Sequence, residues 1–538
     1  MNCPGGIIMN NTDIIRVTEG CPRAIVLKGS IEEMGRQYGN AFAEELKDLE
    51  TVVKASVFGT PFTTAMYGFV PPGVEDSKRD MRALMYIAKK YCPKFIEWMA
   101  GLQKGCAEKD VNIDMESLYM VATYPDERWA RPGGKYPEGF DESPAGEGSG
   151  APRPYCNGFA VSGEAARDES VFVGVSGSPS DETVDRVMVI GYNEDGTYFS
   201  TFGTIANPFG QSGLNSRGFA FAMTSNTSES DCDWGMSPEM ACFQIASQCT
   251  SADEAKQWLE EVPRSFATGN FIFADAAGEI CVCESNNAHF NIRKPGDAGE
   301  EGNYVVSTNH FAAKETIDFN VPEMEMWKQD SICRMATISK YVKQGIDQGG
   351  VDIYWIHHVL RQHDWYDPES DEWHINEPAS AKGSDVLEYT HSAFYNPAEM
   401  TAYYMQGTGG GIGVPAGTMG EFVQIPVQAD ISATVELMMM DAFFGGVHVA
   451  RGELLRVTGS SKVLQQDYAS RNALRELLDE SYRNYERGVN RWAYAHRAKT
   501  EENDEAEYLA LISEAIAYLG KTQMYARKLI TELNYYDD

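Results

Sequence analysis

The chain has 538 residues, 43% of them hydrophobic and 11% aromatic, and a formal net charge of −34. This composition supports a large packed core rather than a disordered polymer, so one dominant globular body with appendages is expected. Strong negative charge repels phosphate backbones and anionic lipid, which sets nucleic acid and membrane surfaces aside as partners. It fits solubility or a saline habitat equally well and names no substrate.

No apolar signal-peptide core follows a basic start in the first 30 residues, and no run reaches the length of a membrane-spanning helix. A cytoplasmic enzyme is expected. The 11 cysteines are odd in number and lack CxxC spacing, the pattern of reduced thiols.

In chain order, residues 21–30 read as a strand ending in a turn, and Ser30 with Glu33 marks the start of helical pattern running to about Val57. Residues 76–108 and 112–124 are also helical in pattern. From Arg131 to Pro154 the run RPGGKYPEGFDESPAGEGSGAPRP destroys periodicity and predicts an exposed loop. The chain then turns β-rich: FAVSG, SVFVGVSG, RVMVIGYN, TYFSTFG, GFAFAMTS, NFIFADAAGEICVCES and YVVSTNHF are short apolar runs bounded by Gly, Asn and Asp. Asp195-Gly196 signals a hairpin. Cys281 and Cys283 share one face of a strand and fill core.

Helices are predicted at 237–249, 252–261, 323–345 and 350–362, and a His- and Trp-rich loop runs to about Leu387. A strand pair returns in HSAFYNPAEMTAYYMQG with Asn396-Pro397 as its turn, and from about Ile431 the pattern is helical to the end. Strands in one block and helices in others indicate an α+β layered fold.

Cys156 is the first chemical candidate. It follows the Gly/Pro loop and opens the β-rich half in CNGFAVSG. If the preceding bond is cut, between Tyr155 and Cys156, the freed α-amine titrates at about 7.7–8.0 and can act as general base for the thiol. The competing reading is a small core residue at a strand start, the usual state of a lone cysteine.

The surroundings favour the nucleophile. LKGSIEEMGRQYGNAFAEEL resembles the opening strand and helix, "GS…E.G…G", of the penicillin acyltransferase-like family (acyl-coenzyme A:6-aminopenicillanic acid acyltransferase, or isopenicillin N acyltransferase, and its amidase relatives). CNGFAVSGEAARDESVFVG is similar to its nucleophile strand and hairpin. GLNSRGFAFAMTSN, FIFADAAGEICVCES, STNHF, LRQHDW and HSAFYNPAEMTAYYMQG resemble later family segments in the same order, together covering roughly residues 22–425.

The resemblance implies a cysteine N-terminal-nucleophile hydrolase: a four-layer αββα sandwich with Cys156 between two sheets and a C-terminal helical extension. It divides the chain into a mainly helical pro-chain at 1–130, a linker at 131–155 ending at the self-cleavage site, a catalytic body at 156–430 and a helical extension at 431–538. It places an oxyanion donor on Asn309 of the TNH motif, where a turn-capping role is the ordinary alternative. Asn226 is a second candidate donor, and Ser225, one residue earlier, competes for that place. His310 and His363 are candidate substrate or pocket residues.

Two departures stand out. Most relatives in the family carry Gly before the nucleophile, and this chain has Tyr155. The family motif "G-R-N-x-D" is replaced by GVSGSPSD: Val175 stands at its Arg, Ser178 at its Asp, and Asp181 lies three residues on. Arg153 or Arg186 are candidates for replacement charge.

His357, His358, His363 and His374 with Asp364 and Asp367 match no established metal-ligand spacing, so no metal is expected. The run Gly407–Gly413 lacks a following helix and reads as a substrate-lining loop rather than a phosphate cradle. No cofactor is implied.

The expected activity is hydrolysis of a small N-acyl or peptide-like amide through a thioester on Cys156. Acyl transfer to an amine and an uncleaved, inactive scaffold of the same fold are the alternatives. A lipid-directed hydrolase ranks lower, since those relatives are secreted. The C-terminal helices are expected to pack on the body or to build a homo-oligomer interface.

Overall fold

The computed structural model describes residues 14–16, 23–57, 73–123, 136, 138–140, 156–177, 186–226, 234–264, 269–286, 289–320, 325–359, 364–374, 391–406, 423–427, 429 and 505–535, with separate helical positions between 473 and 498. Tyr155, Ser178, Asp181, Arg153, His363 and the Gly407–Gly413 run lie outside the described residues.

The described chain opens with β1 (Ile14–Arg16) and β2 (Arg23–Gly29), then α1 (Ile31–Ala41), α2 (Ala43–Val57), α3 (Val74–Tyr91), α4 (Pro93–Ala107) and α5 (Met115–Ala122). Ser30 caps α1 by accepting the Glu33 N–H at 3.2 Å. The expected single helix over 76–108 is two, because Pro93 starts a new one and Cys92 ends the old.

After Cys156 come β3 (Asn157–Val161), β4 (Phe172–Gly177), β5 (Arg186–Asn193), β6 (Tyr198–Thr204), β7 (Ser212–Asn215) and β8 (Phe219–Ser225). Next are α6 (Pro238–Ser247), α7 (Ala252–Glu261), β9 (Gly269–Asp275), β10 (Ile280–Ser285), β11 (Phe290–Arg293) and β12 (Tyr304–Ser307). Then follow α8 (Glu325–Asp347), α9 (Ile353–Val359), the hairpin β13 (Trp365–Asp367)–β14 (Glu372–His374), β15 (His391–Asn396), β16 (Thr401–Gln406), β17 (Val423–Pro426) and α10 (Glu505–Tyr535).

These strands build two large sheets. The nine-stranded sheet runs β1-β2-β5-β6-β7-β8-β9-β10-β11, and the six-stranded sheet β12-β3-β4-β15-β16-β17. Among the described strands all pairings are antiparallel except β2 with β5, which run parallel from Arg23↔Val187 to Gly29↔Asn193. The chain before Cys156 is therefore built into the same sheet as the chain after it.

Side-chain alternation sorts the core into layers. Leu27, Val187, Val189, Phe221 and Phe273 face helices α1–α7. Ala24, Met188, Ile190, Ala222, Ile272, Val173, Val305 and Ala393 fill the space between the sheets. Phe159, Val161, Val306 and Phe394 pack on Cys333, Ile338, Val342 and Ile356 of α8 and α9. Helix, sheet, sheet and helix follow one another, the four-layer αββα sandwich. Cys281 and Cys283 lie buried on the helix-facing side of β10. No helix among the described residues is long and apolar enough to cross a membrane.

Helices α1 and α4 touch through glycine. A Cβ on Gly39 would lie 2.1 Å from the Leu102 carbonyl oxygen, on Gly35 2.3 Å from that of Trp98, and on Gly105 2.0 Å from that of Arg36. The Gly-x-x-x-Gly spacing on both helices thus lets the backbones meet. Gly39→Ala forces them apart and is expected to cost about 1–3 kcal/mol, the usual range for overpacking. Gly520→Ala is expected to have the opposite sign: a Cβ there meets nothing within 4 Å, and Gly-to-Ala in a helix gains about 1 kcal/mol. Denaturant midpoints of the two variants check both signs.

Candidate active site

Cys156 sits at the entrance of β3 with its side chain in the inter-sheet layer, only 3% exposed. The next inward-facing residue is Gly158, where a Cβ would lie 2.4 Å from Ile272 Cδ1 of the opposite sheet. Glycine at that place lets the two sheets close beside the thiol. The neighbouring strand ends come from both sheets: Ser307 pairs with Gly158 and Asn157 with Ser176 in one, while Thr224 of β8 bonds Ser307 Oγ at 3.0 Å from the other.

Polar groups surround Cys156 on its nitrogen, its carbonyl and its sulfur. Its N–H donates to Asn309 Oδ1 at 3.0 Å. The same Oδ1 accepts from Arg334 Nη2 at 2.8 Å, and Asn309 Nδ2 donates to the Ser225 carbonyl at 2.6 Å. Two donors on one side and an acceptor on the other fix the amide's orientation. Arg334 Nη1 also donates to the Cys156 carbonyl and to Asn157 Oδ1, each at 2.8 Å. Its Nε pairs with Asp330 at 2.9 Å one helical turn earlier on α8, and both side chains are buried. The thiol itself receives Gln211 Nε2 at 3.6 Å.

The segment carrying Asn309 is held from several directions. The Asn309 N–H donates to Ser331 Oγ at 2.7 Å, and Thr308 Oγ1 donates to the Ser331 carbonyl at 2.9 Å. Thr224 Oγ1 donates to the Thr308 carbonyl at 2.7 Å. His310 Nδ1 lies 2.8 Å from Ser331 Oγ, so this histidine braces the Asn309 support. Beyond it, the buried Glu284 carboxylate accepts the N–H groups of Ala312 (3.0 Å) and Ala313 (3.1 Å), the Thr316 hydroxyl and Arg293 Nε at 2.9 Å. Replacing one partner there strands a buried charge.

The other sequence candidates separate. Ser225 lends its carbonyl to Asn309. Asn226 turns away, donating to Asn270 Oδ1 at 2.9 Å and the Ser285 carbonyl at 3.1 Å, and so joins the ends of β8, β9 and β10. Val175 is buried between the sheets, and Arg186 begins β5, also buried. His374 stacks on Trp365 at 3.8 Å. Among the described residues no group of His, Cys, Asp and Glu has a geometry that holds a metal. Arg334, Asp330, Asn157 and Gln211 were not singled out by sequence. The i, i+4 spacing of Asp330 and Arg334 is the one local signal for the pair, and it is shared by many solvent-facing helices.

Burial pushes the Cys156 thiol above its ordinary pKa, and the Ser225 backbone, the Arg334 charge and the Gln211 and Asn309 amides act in the opposite direction. The site therefore holds a neutral thiol close to a fixed cation.

The model of the acyl-coenzyme A:6-aminopenicillanic acid acyl-transferase family matches residues 180–408. That span begins after Cys156 and takes in Gln211, Ser225, Asn309 and Arg334. No curated protein matches the chain. Among solved structures, a mutant of the conjugated bile acid hydrolase from Clostridium perfringens is similar at 12% identity over 47% of this chain and 89% of that one, with a TM-score of 0.31. The Caenorhabditis elegans ortholog of N-acylethanolamine-hydrolyzing acid amidase has 12% identity over 45% of this chain and 93% of its own, TM-score 0.29. Penicillin V acylase from Agrobacterium tumefaciens has 14% identity over 47% and 83%, TM-score 0.29.

Two outcomes follow from this geometry. Arg334→Met leaves the Asp330 carboxylate buried without its cation and is expected to cost about 3–5 kcal/mol. Adding Asp330→Leu restores part of the loss, so urea titrations of the single and double variants should show strong coupling rather than additive costs. In the uncut chain, a raised thiol pKa means that iodoacetamide alkylation of Cys156 climbs about tenfold per pH unit through pH 7–9. A plateau below pH 8, read by mass on that cysteine, contradicts it.

Proposed function

Since residues 180–408 match the model of the acyl-coenzyme A:6-aminopenicillanic acid acyl-transferase family, we propose that the chain is a self-processing cysteine amidohydrolase whose nucleophile is Cys156. The observation that carries this reading is the pair of buried groups on the Cys156 backbone, with Asn309 Oδ1 on its nitrogen and Arg334 on its carbonyl and on that same Oδ1. A purely structural cysteine needs no buried amide and guanidinium around its backbone. A residue whose nitrogen is to become a catalytic amine does.

Self-processing begins when Cys156 Sγ attacks the carbonyl carbon of Tyr155. The C–N bond breaks, the nitrogen departs as the Cys156 α-amine carrying the thiol proton, and water hydrolyses the resulting thioester to a Tyr155 carboxylate and a free thiol. In turnover the α-amine takes the thiol proton as Sγ bonds to the substrate carbonyl. The tetrahedral oxyanion collapses, and the leaving amine departs with that proton. The α-amine then deprotonates water, which cleaves the thioester and restores the thiol.

Arg334 suits this cycle. A cation beside the α-amine disfavours its protonated form and keeps it available as base near neutral pH. The substrate is a small N-acyl amino acid or peptide-like amide in the cytosol. Hydrolysis is preferred over transfer to an amine, since transfer needs a pocket that keeps water from the thioester. Because β2 pairs with β5 along its whole length and Tyr38 of α1 donates to the Ile205 carbonyl at 3.0 Å, the two pieces remain associated after the cut.

Intact-mass spectrometry of fresh protein beside Cys156→Ala tests the proposal. Pieces of 155 residues and of the remaining 383 of the 538, absent from the variant and co-eluting under native conditions, are expected. One full-length mass in both samples removes the α-amine mechanism and leaves a scaffold of the same fold.

A further inference from the structure

The oxyanion of this reaction needs donors, and the amide expected to supply one is committed elsewhere. Asn309 Nδ2 donates to the Ser225 carbonyl at 2.6 Å, while Oδ1 holds the Cys156 nitrogen. Turning Nδ2 toward a substrate would break both bonds. Asn226 Nδ2 is likewise occupied, by Asn270 and Ser285.

The Gln211 amide is placed differently. It approaches Cys156 from the opposite sheet, and its Nε2 stands 3.6 Å from Sγ. The turn that presents it is tightly fixed. Gly210 has φ +50, and a Cβ there would lie 1.9 Å from the Phe202 carbonyl oxygen. Asn207 closes the turn by accepting the Gly210 N–H at 3.2 Å. The Gln211 carbonyl then accepts the Met223 N–H at 2.7 Å, locking the backbone to β8. Among the described residues the thiol is the side-chain partner of the Gln211 amide.

We infer that Gln211 is a catalytic residue, the side-chain donor of the oxyanion hole; the inference rests on the Cys156 nucleophile proposed above. When Sγ bonds to a carbonyl carbon, the oxygen that takes up the negative charge is bonded to that same carbon, two bonds from sulfur. It thus falls within reach of an N–H already aimed at the sulfur, and a donor at about 2.7–3.1 Å from that oxygen stabilises it. The proton count is unchanged: Gln211 donates a hydrogen bond and transfers nothing. The weak N–H···S contact of the resting site becomes a charge-assisted bond in the tetrahedral adduct, so the gain appears in the transition state.

The test separates this role from an effect on the thiol. Gln211→Met keeps length and removes the donor; Gln211→Ala guards against a packing artefact. Each variant and the parent are reacted with 4-nitrophenyl acetate, whose acyl transfer to Cys156 passes through an oxyanion, and with iodoacetamide, whose displacement does not. Acylation is expected to slow by about 100–1000-fold, the usual loss for one oxyanion donor, with alkylation within about threefold of the parent. Slower self-cleavage counts the same way, because it too passes through an oxyanion.

Equal slowing of both reactions would make Gln211 a group that activates the thiol and overturns the inference. So would acylation that is unchanged in both variants. A parent protein that is neither cut nor acylated defeats the nucleophile reading itself, and its own mass and labelling show this before any variant is compared.

Discussion

A buried guanidinium organises this site. Arg334 leaves α8, pairs with Asp330, and reaches the Cys156 carbonyl, the Asn157 side chain and Asn309. Removing such a charge from water costs several kcal/mol, and it is tolerated only where its donors find acceptors. Three of these four acceptors belong to other segments. The start of β3, the turn after β12 and the middle of α8 are therefore held in one geometry. Any displacement of one segment leaves a buried charge short of a partner.

The rest of the fold serves that convergence. The thiol and the Asn309 segment stand at the ends of neighbouring strands, under a second sheet that packs face to face with theirs, and the Glu284–Arg293 pair pins the loop beyond Asn309. Glycines bring backbones to contact where the architecture is tightest: Gly158 beside the nucleophile, and Gly35, Gly39, Gly101 and Gly105 between α1 and α4. The strand from the N-terminal segment pairs with β5 over its whole length. A cut before Cys156 would free a new terminus without dismantling the core around it. That is the arrangement an enzyme needs if its general base is made by its own proteolysis.

Much of this was legible in the sequence. Apolar runs marked β3 to β6, β8 to β10 and β12 but not the short β7, the Asp195-Gly196 and Asn396-Pro397 pairs marked real hairpins, and Ser30 marked the start of α1. Segment order pointed to the family whose model matches residues 180–408. The details that sequence did not disclose are those set by long-range packing. Arg334 lies 178 residues from Cys156 and sits in a helix whose local pattern shows only an ordinary ion pair. Gln211 lies 55 residues away in a turn with no motif of its own, and Asn157 looks like any strand-start residue. Asn309 was visible through its TNH motif, but its partners were not. Its expected role as donor to an oxyanion depends on where its Nδ2 points, and only the placement of Ser225 decides that.

The central claim is that nucleophile and base reside on one residue. Treatment of the purified protein with 2-cyanobenzothiazole probes this directly, because stable ring closure requires a thiol and a free α-amine on the same cysteine. One adduct on Cys156, formed together with loss of amide hydrolysis, is the result this account predicts. Alkylation of Cys156 by iodoacetamide in a sample that forms no such ring would show a reactive thiol without its amine, and would contradict it.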